Sequence, residues 1–391
     1  MLDRFSGVTS AAAIAATAAG ALFSLSVTGS SAQAPPQLKT PWGEPDLQGI
    51  WTDEFDTPLQ RPAKYATQEF FTEAQRAELD KTRSEVLGRF ATERDINGAY
   101  NAATFFSTKH TGPRTSKIAD PPNGRIPPLT PQAQKTAATE REFRLALLQS
   151  TDTCKKMLPG CAGGKYEPTT SPRRAEAPPR YNTGRLNRDD GPEDSSLAVR
   201  CLTGGLPEFG GATGSFRRIV QTPGGVSMFY DVGQGQGWQR NIVMDGSPHL
   251  PANIRQWFGD SRGHWEANTL VIDVTNFSPK TDYQGSRESL HLTERWTRTG
   301  PTSLAYEVTI EDPAVWTRPW TVKQEFAKQS DEENRLYTEP RCLEGNFGLP
   351  GLLHGRRAED AAFAQGRGPD PASRDNTGAL IDADVPQDPL Q

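Results

Sequence analysis

Leu290-His291-Leu292-Thr293-Glu294-Arg295-Trp296-Thr297-Arg298, followed by Leu304-Ala305-Tyr306-Glu307-Val308-Thr309-Ile310-Glu311, is the stretch that decides the fold. In both runs the chemistry alternates with a period of two, as in strands with one buried face. Leu290, Leu292, Glu294 and Trp296 share one face of the first run, with His291, Thr293 and Arg295 on the other. On the second, Leu304, Tyr306, Val308 and Ile310 oppose Ala305, Glu307, Thr309 and Glu311. Matching the apolar faces pairs Leu290 with Ile310, Leu292 with Val308, Glu294 with Tyr306 and Trp296 with Leu304. A slip of one residue would mix the faces. Glu294 is then the one carboxylate on an apolar face, with a phenol opposite. His291, Arg295, Glu307 and Glu311 form a charged group on the other side.

Working outward, similar segments at 216–222, 226–232, 238–244, 269–277, 320–327 and 336–341 bring the expected strands to eight. Short strands joined by hairpin-length turns predict an antiparallel meander, either a barrel or a sandwich, and full closure into a barrel would remove its exposed edges. Two helices are expected on the periphery. One runs over 70–87 with Thr72 as its cap, the other over 131–148 with Pro131 in its first turn. The proline-rich run 114–131 between them is extended. The expected organisation is a signal at 1–34, a first strand with wrapping segments at 35–150, a flexible insertion at 151–196, the barrel core at 197–357 and an acidic disordered tail at 358–391.

The chain has 391 residues and a net charge of −5. The tail 358–391 holds seven acids and two bases, which accounts for that whole charge, so the remainder is near neutral. No basic patch calls for nucleic acid. No apolar run beyond the N-terminus reaches the roughly 20 residues that span a bilayer. Residues 1–34 read as a secretory signal: Arg4, an apolar stretch from Ala11 to Val27, then Ala32-Gln33-Ala34 as a cleavage site. An uncleaved anchor is the alternative, which Gly20, Ser24 and Ser26 disfavour. A periplasmic or secreted protein follows, with no membrane span once the signal is cut. Its four cysteines then invite disulfides. Cys154 and Cys161 could close a local ring and Cys201 and Cys342 could tie the strand-rich region, with other pairings open.

Three stretches carry a resemblance: Pro45-Asp46-Leu47-Gln48-Gly49-Ile50-Trp51, then Asp120-Pro121-Pro122-Asn123-Gly124-Arg125-Ile126-Pro127-Pro128-Leu129-Thr130, then Ile254-Arg255-Gln256-Trp257-Phe258-Gly259-Asp260-Ser261-Arg262-Gly263-His264-Trp265-Glu266. With Tyr306-Glu307-Val308-Thr309-Ile310-Glu311-Asp312-Pro313, they resemble a large, mostly uncharacterised family of exported bacterial proteins. The likeness covers most of residues 40–355 and implies export, without an activity. Gly49-Ile50-Trp51 also resembles the first strand of calycin or lipocalin barrels, which implies a barrel of that kind with a cup for a small apolar ligand. In such a barrel Trp51 would plug the floor.

For chemistry, Glu294 in an apolar enclosure would have a raised pKa and could serve as a general acid or base, with Tyr306 as its partner. The alternative is a structural Glu bonded to Arg217 or Arg240, since buried carboxylates are usually paired. His249, on the loop Ser247-Pro248-His249-Leu250-Pro251, or His291 is the candidate second proton carrier. Trp257, Asp260 and Arg262 are candidate substrate-binding residues, although Asp260 also suits a turn. The five histidines lack metal-ligand spacing, and Gly233-Gln234-Gly235-Gln236-Gly237 precedes a strand rather than a helix, so neither metal nor cofactor is expected. Two functions follow: a cofactor-independent lyase, hydratase or isomerase on a small apolar or aromatic compound, or a non-catalytic binding protein for a lipophilic or carbohydrate ligand. Nothing in the sequence fixes an oligomeric state.

Overall fold

The computed structural model describes residues 38–53, 55–92, 109–197, 199–202, 205–209, 216–233, 236–330 and 347–377. Its centre is a closed nine-stranded barrel. The strands are β1 (Gly49–Asp53), β5 (Phe216–Thr222), β6 (Gly225–Gly233), β7 (Gln236–Val243), β8 (Asp260–Glu266), β9 (Thr269–Thr275), β10 (His291–Arg298), β11 (Ser303–Glu311) and β12 (Trp320–Lys328). They neighbour one another in that order, and pairing of β1 with β12 closes the ring. Among the described residues, three short strands lie outside the ring. β2 (Phe55–Asp56) pairs with β3 (His110–Thr111), and β4 (Ile118–Asp120) lies along β12.

The barrel is mixed rather than wholly antiparallel, because β7 and β8 run parallel through Val243 and Arg262. The reason is β8, which the sequence reading passed over. Gly259, Asp260 and Gly263 resemble a turn, yet this segment is a strand that returns after the loop 244–259. Gly263 permits the close approach: a Cβ there would lie 2.4 Å from the Met244 sulfur and 2.7 Å from Ile242 Cγ2. The expected strand at 336–341 lies outside the described residues.

The faces of β10 and β11 are as the alternation requires, but their register differs by two residues. Leu292 faces Ile310, Glu294 faces Val308, Trp296 faces Tyr306 and Arg298 faces Leu304. A two-residue shift preserves both faces, so hydrophobic patterning cannot choose between the registers. The turn chooses. Thr299 N donates to Ser303 O at 3.0 Å around Gly300-Pro301, which carries the pairing to the ends of both strands.

Inside, Trp51, Trp296, Tyr306, Phe326, Leu292 and Val308 join a single cluster. Trp51 is fully buried and donates from Nε1 to Leu47 O at 2.8 Å, with the Arg298 guanidinium 5.5 Å from its ring centre.

Helix α1 (Glu73–Thr92) begins at a reciprocal cap, since Gln75 N donates to Thr72 Oγ1 at 3.2 Å and Thr72 N to Gln75 Oε1 at 2.9 Å. Helix α2 (Pro131–Leu148) is capped by Thr130 and buries Phe143, Leu147 and Leu148.

The insertion and tail depart from expectation. Residues 151–196 contain the short helix α3 (Asp152–Lys155), a disulfide between Cys154 and Cys161, and a buried Arg188–Asp194 ion pair at 2.9 Å. The tail up to residue 377 is built onto this lobe. Helix α4 (Gly348–Ala364) places Arg356 Nη1 2.9 Å from Pro371 O, and Asn376 N donates to Asn187 Oδ1 at 2.8 Å. Side-chain hydrogen bonds hold these polar segments where apolar periodicity gave no sign of structure. Cys201 is also disulfide-bonded, while its expected partner Cys342 lies outside the described residues.

Candidate functional site

Alternation on β7, β10 and β11 turns Arg240, Glu294 and Tyr306 inward. Arg240 Nη2 donates to Glu294 Oε2, and the Tyr306 hydroxyl donates to Glu294 Oε1 at 2.9 Å. Glu294 is fully buried. Burial works against the Arg240 charge, but the Glu294 carboxylate outweighs it and holds the guanidinium above its ordinary range. Burial pushes the Tyr230 phenol up to about 12, and burial with the Glu294 charge pushes Tyr306 well above its usual value. Both Glu294 oxygens are engaged, so the group is built as a structural ion pair with Arg240. The joint use of Glu294 with His291 does not arise, because successive residues of β10 put them on opposite faces of the sheet.

On the outer face, four of the other expected residues converge. His249, on the loop between β7 and β8, contacts Asp260 Oδ2 through Nδ1 at 2.7 Å and Asp273 Oδ2 through Nε2 at 2.8 Å. Both contacts are hydrogen bonds when both ring nitrogens carry protons. His291 Nε2 bonds the other oxygen of Asp273, and its Nδ1 lies 3.6 Å from Glu311. Arg262 grips Asp260 from Nε at 3.0 Å and Nη2 at 3.1 Å. Burial would raise the Asp260 pKa, but Arg262, His249 and the Leu250 amide together lower it. The bond to His291 lowers the Asp273 pKa, and the same bond raises that of His291. Trp257 is half-buried at the end of this loop, beside the bridge between Gln256 and Phe277. The cluster fastens a long loop to the sheet through partly exposed groups. No group of three or more His, Cys, Asp or Glu able to hold a metal ion occurs among the described residues.

A third place combines room with chemistry. β1 pairs with β12 at residues 326–328 and β4 pairs with it at 321–322, leaving a seam between them. Lys323 N donates to Lys117 O at 2.9 Å across this seam. Outside it lies a cleft of about 390 Å³. Phe55, Phe70 and Pro113 form one wall, and Arg295, Ala305 and Lys323 of the barrel's outer face form the other. Asp53, Lys117, Gln324 and Tyr306 also contribute atoms to its lining. Phe70 is 53% exposed, with the Arg114 guanidinium 5.2 Å from its ring centre. Lys117 Nζ donates to Phe209 O at 2.6 Å and lies 3.3 Å from Asp53 Oδ2. A roomier groove of about 720 Å³ beside α2 lacks aromatic lining, and its Arg180–Glu140 and Arg287–Asp282 pairs occupy much of its charge.

Sequence reasoning missed Asp53, Lys117 and Asp273. Strand alternation on 269–275 does turn Asp273 away from Ile272 and Val274, which was an available signal. Lys117 and Asp53 are 64 positions apart, and no periodicity links them.

No protein-family model matches the chain, and no curated protein matches it. Solved structures similar to it over about a third of its length include the following two. A secretary abundant heat soluble protein from Ramazzottius varieornatus is 13% identical, with 34% of this chain and 82% of that one covered and a TM-score of 0.23. A single-residue mutant of the fluorescent protein UnaG is 15% identical, with 32% and 79% covered and a TM-score of 0.21.

Proposed function

We propose that the protein is a non-catalytic binding protein for a small, largely apolar compound, and that the compound lies in the cleft at the β12 seam. One observation carries the reading: Phe55, Phe70 and Pro113 line a concave space of about 390 Å³ together with a few polar groups, and Phe70 remains 53% exposed there. Mostly apolar walls with a few fixed polar contacts are the usual makeup of a small-molecule site. The interior expected to serve as a cup is instead occupied by side chains such as Trp51, Trp296, Tyr306 and Phe326, which moves the site to the outside of the wall. A disulfide suits an oxidising compartment, so the periplasmic or secreted location suggested by residues 1–34 is part of the proposal. No described helix is long and apolar enough to cross a membrane.

The test is fluorescence titration with the uncharged probe N-phenyl-1-naphthylamine. Phe70→Ala should weaken binding about tenfold, the effect of removing one well-placed aromatic contact. Ala305→Trp should fill the cleft and abolish binding with little change in stability. Unchanged affinity in both variants, or no binding to the native protein, would overturn the assignment.

A further inference from the structure

Away from the cleft, a concave space of about 360 Å³ lies between α2 and the segment 185–187. Arginines line it from both sides. Arg141 and Arg144 are three residues apart on α2, which puts them on one face of the helix, and Arg185 belongs to the opposite segment. Arg144 donates from Nη1 to Arg185 O at 3.1 Å and from Nη2 to Asn182 Oδ1 at 3.0 Å. Arg141 Nη2 donates to Ala162 O. These neutral acceptors hold two guanidinium groups in place on an exposed helix face without supplying a counter-charge. Most N–H groups of both remain for a ligand.

The acids around the space are engaged. Arg185 Nη2 pairs with Asp189 Oδ1 at 2.8 Å, and the other oxygen of Asp189 accepts from Asn376 Nδ2 at 3.2 Å. Glu140 is the one acid lining the space among the described residues, and its Oε1 lies 3.5 Å from Arg180 Nε. No described carboxylate pairs with Arg141 or Arg144. Arg185 Nε is buried and has no acceptor among the described residues. Desolvation lowers the Arg144 pKa by more than Glu140 and Asp282 raise it, and Arg287 adds to the fall. Leu145, Leu148 and Leu186 also line the space.

We propose that this space is a second binding site, for a small organic oxyanion whose head lies against Arg141 and Arg144 and whose short aliphatic body lies against Leu145 and Leu148. The head supplies the negative charge that no described carboxylate gives these two arginines. A carboxylate or a phosphate ester suits them, because a guanidinium offers a planar fork of N–H groups to a pair of oxygens. The site shares no lining residue with the cleft at the β12 seam and does not depend on that assignment.

The experiment is isothermal titration calorimetry of the full chain at low ionic strength with hexanoate, hexyl phosphate, hexanol and inorganic phosphate. At least one organic anion should bind about tenfold or more tighter than hexanol, the scale of a hydrogen bond to a charged group, and which one does so identifies the head. Ala305→Trp, which fills the other cleft, should leave this preference unchanged. Arg141→Met combined with Arg144→Met should abolish it. Arg144→Lys should lose most of the affinity, since an ammonium keeps the charge but not the fork. If the double variant does not fold, Arg141→Met alone should weaken the anion about tenfold by the same measure. Hexanol binding as tightly as the anions, no binding of either anion, or a preference that survives the arginine substitutions would overturn the proposal. Inorganic phosphate binding as tightly as both organic anions would mean an adventitious ion only, and would overturn it too. A preference lost in Ala305→Trp would place the anion in the other cleft and equally overturn the second site.

Discussion

The inside of the barrel and the structures on its outside both use buried or half-buried charges, but they hold them by different means. Inside, Arg240 and Glu294 sit within a large apolar cluster, and Arg217, with Glu208, packs 4.5 Å from the Phe326 ring centre. Outside, the lobe around α2 and α3 has small clusters only, such as Phe143 with Leu147 and Leu186. It relies on hydrogen bonds, ion pairs and the Cys154–Cys161 bridge. Area burial stabilises the first region and local cross-links the second. A charge removed from the interior leaves a partner with no water to turn to, whereas one removed from the half-exposed His291–Asp273 pair outside is largely re-solvated.

The largest effect should therefore come from Glu294. Glu294→Ala strands Arg240 in the core and should cost about 3–5 kcal/mol in urea unfolding. Glu294→Leu combined with Arg240→Met should recover much of that loss, because an apolar pair of similar size needs no counter-charge. Retention of full stability in Glu294→Ala would break the contrast, since it would mean that water reaches the pair.

The same contrast explains what could be read from the sequence. Strand alternation is imposed by burial, so the faces of β10 and β11, the inward Glu294 and the barrel itself were legible. Register was legible only modulo two, because a shift from Leu290 to Leu292 opposite Ile310 changes no face. β8 was missed where Gly259 and Gly263, present for close packing, imitate a turn. In the lobe, bonds such as Asn187 Nδ2 to Leu147 O at 3.0 Å depend on single polar atoms, which leave no periodic trace. The outer cluster was half legible. His249, Asp260, Arg262 and His291 stood out as chemistry-bearing residues, but Asp273, which joins them, looked like an ordinary strand residue. Lys117 and Asp53 meet only because the seam beside β12 brings distant segments together.

A middle-sized effect should follow from removing the outer cross-link. Cys154→Ser with Cys161→Ser opens a loop whose closure contributes about 2–3 kcal/mol by the chain-entropy estimate. Hydrogen exchange should show that loss in residues 148–197 and 370–377, with β9 to β12 keeping their protection. Uniform loss across the barrel would mean that the lobe and barrel unfold together, which would sharpen the contrast into one of mechanism without separable stability.

The smallest effect belongs to the outer histidines, and its sign follows from the direction of each shift. His291 has a raised pKa in the folded protein, so its contribution is complete below the unfolded value near 6.5 and is lost as pH rises through the folded one. Asp273 and Asp260 have lowered values, so theirs is complete above the unfolded value near 3.8 and is lost as pH falls through the folded ones. Stability from the cluster should therefore plateau between those limits and decline on both sides. His291 and Asp273 are 38% and 42% exposed, so solvent screening keeps the change well under about 1 kcal/mol. Urea midpoints measured across pH should show His291→Gln removing the alkaline decline attributable to this residue while leaving the acid side to Asp260. An unchanged alkaline slope in that variant would mean that the bond to Asp273 exists in the folded protein without stabilising it, and the outside of the barrel would then be held by its loop and lobe contacts alone.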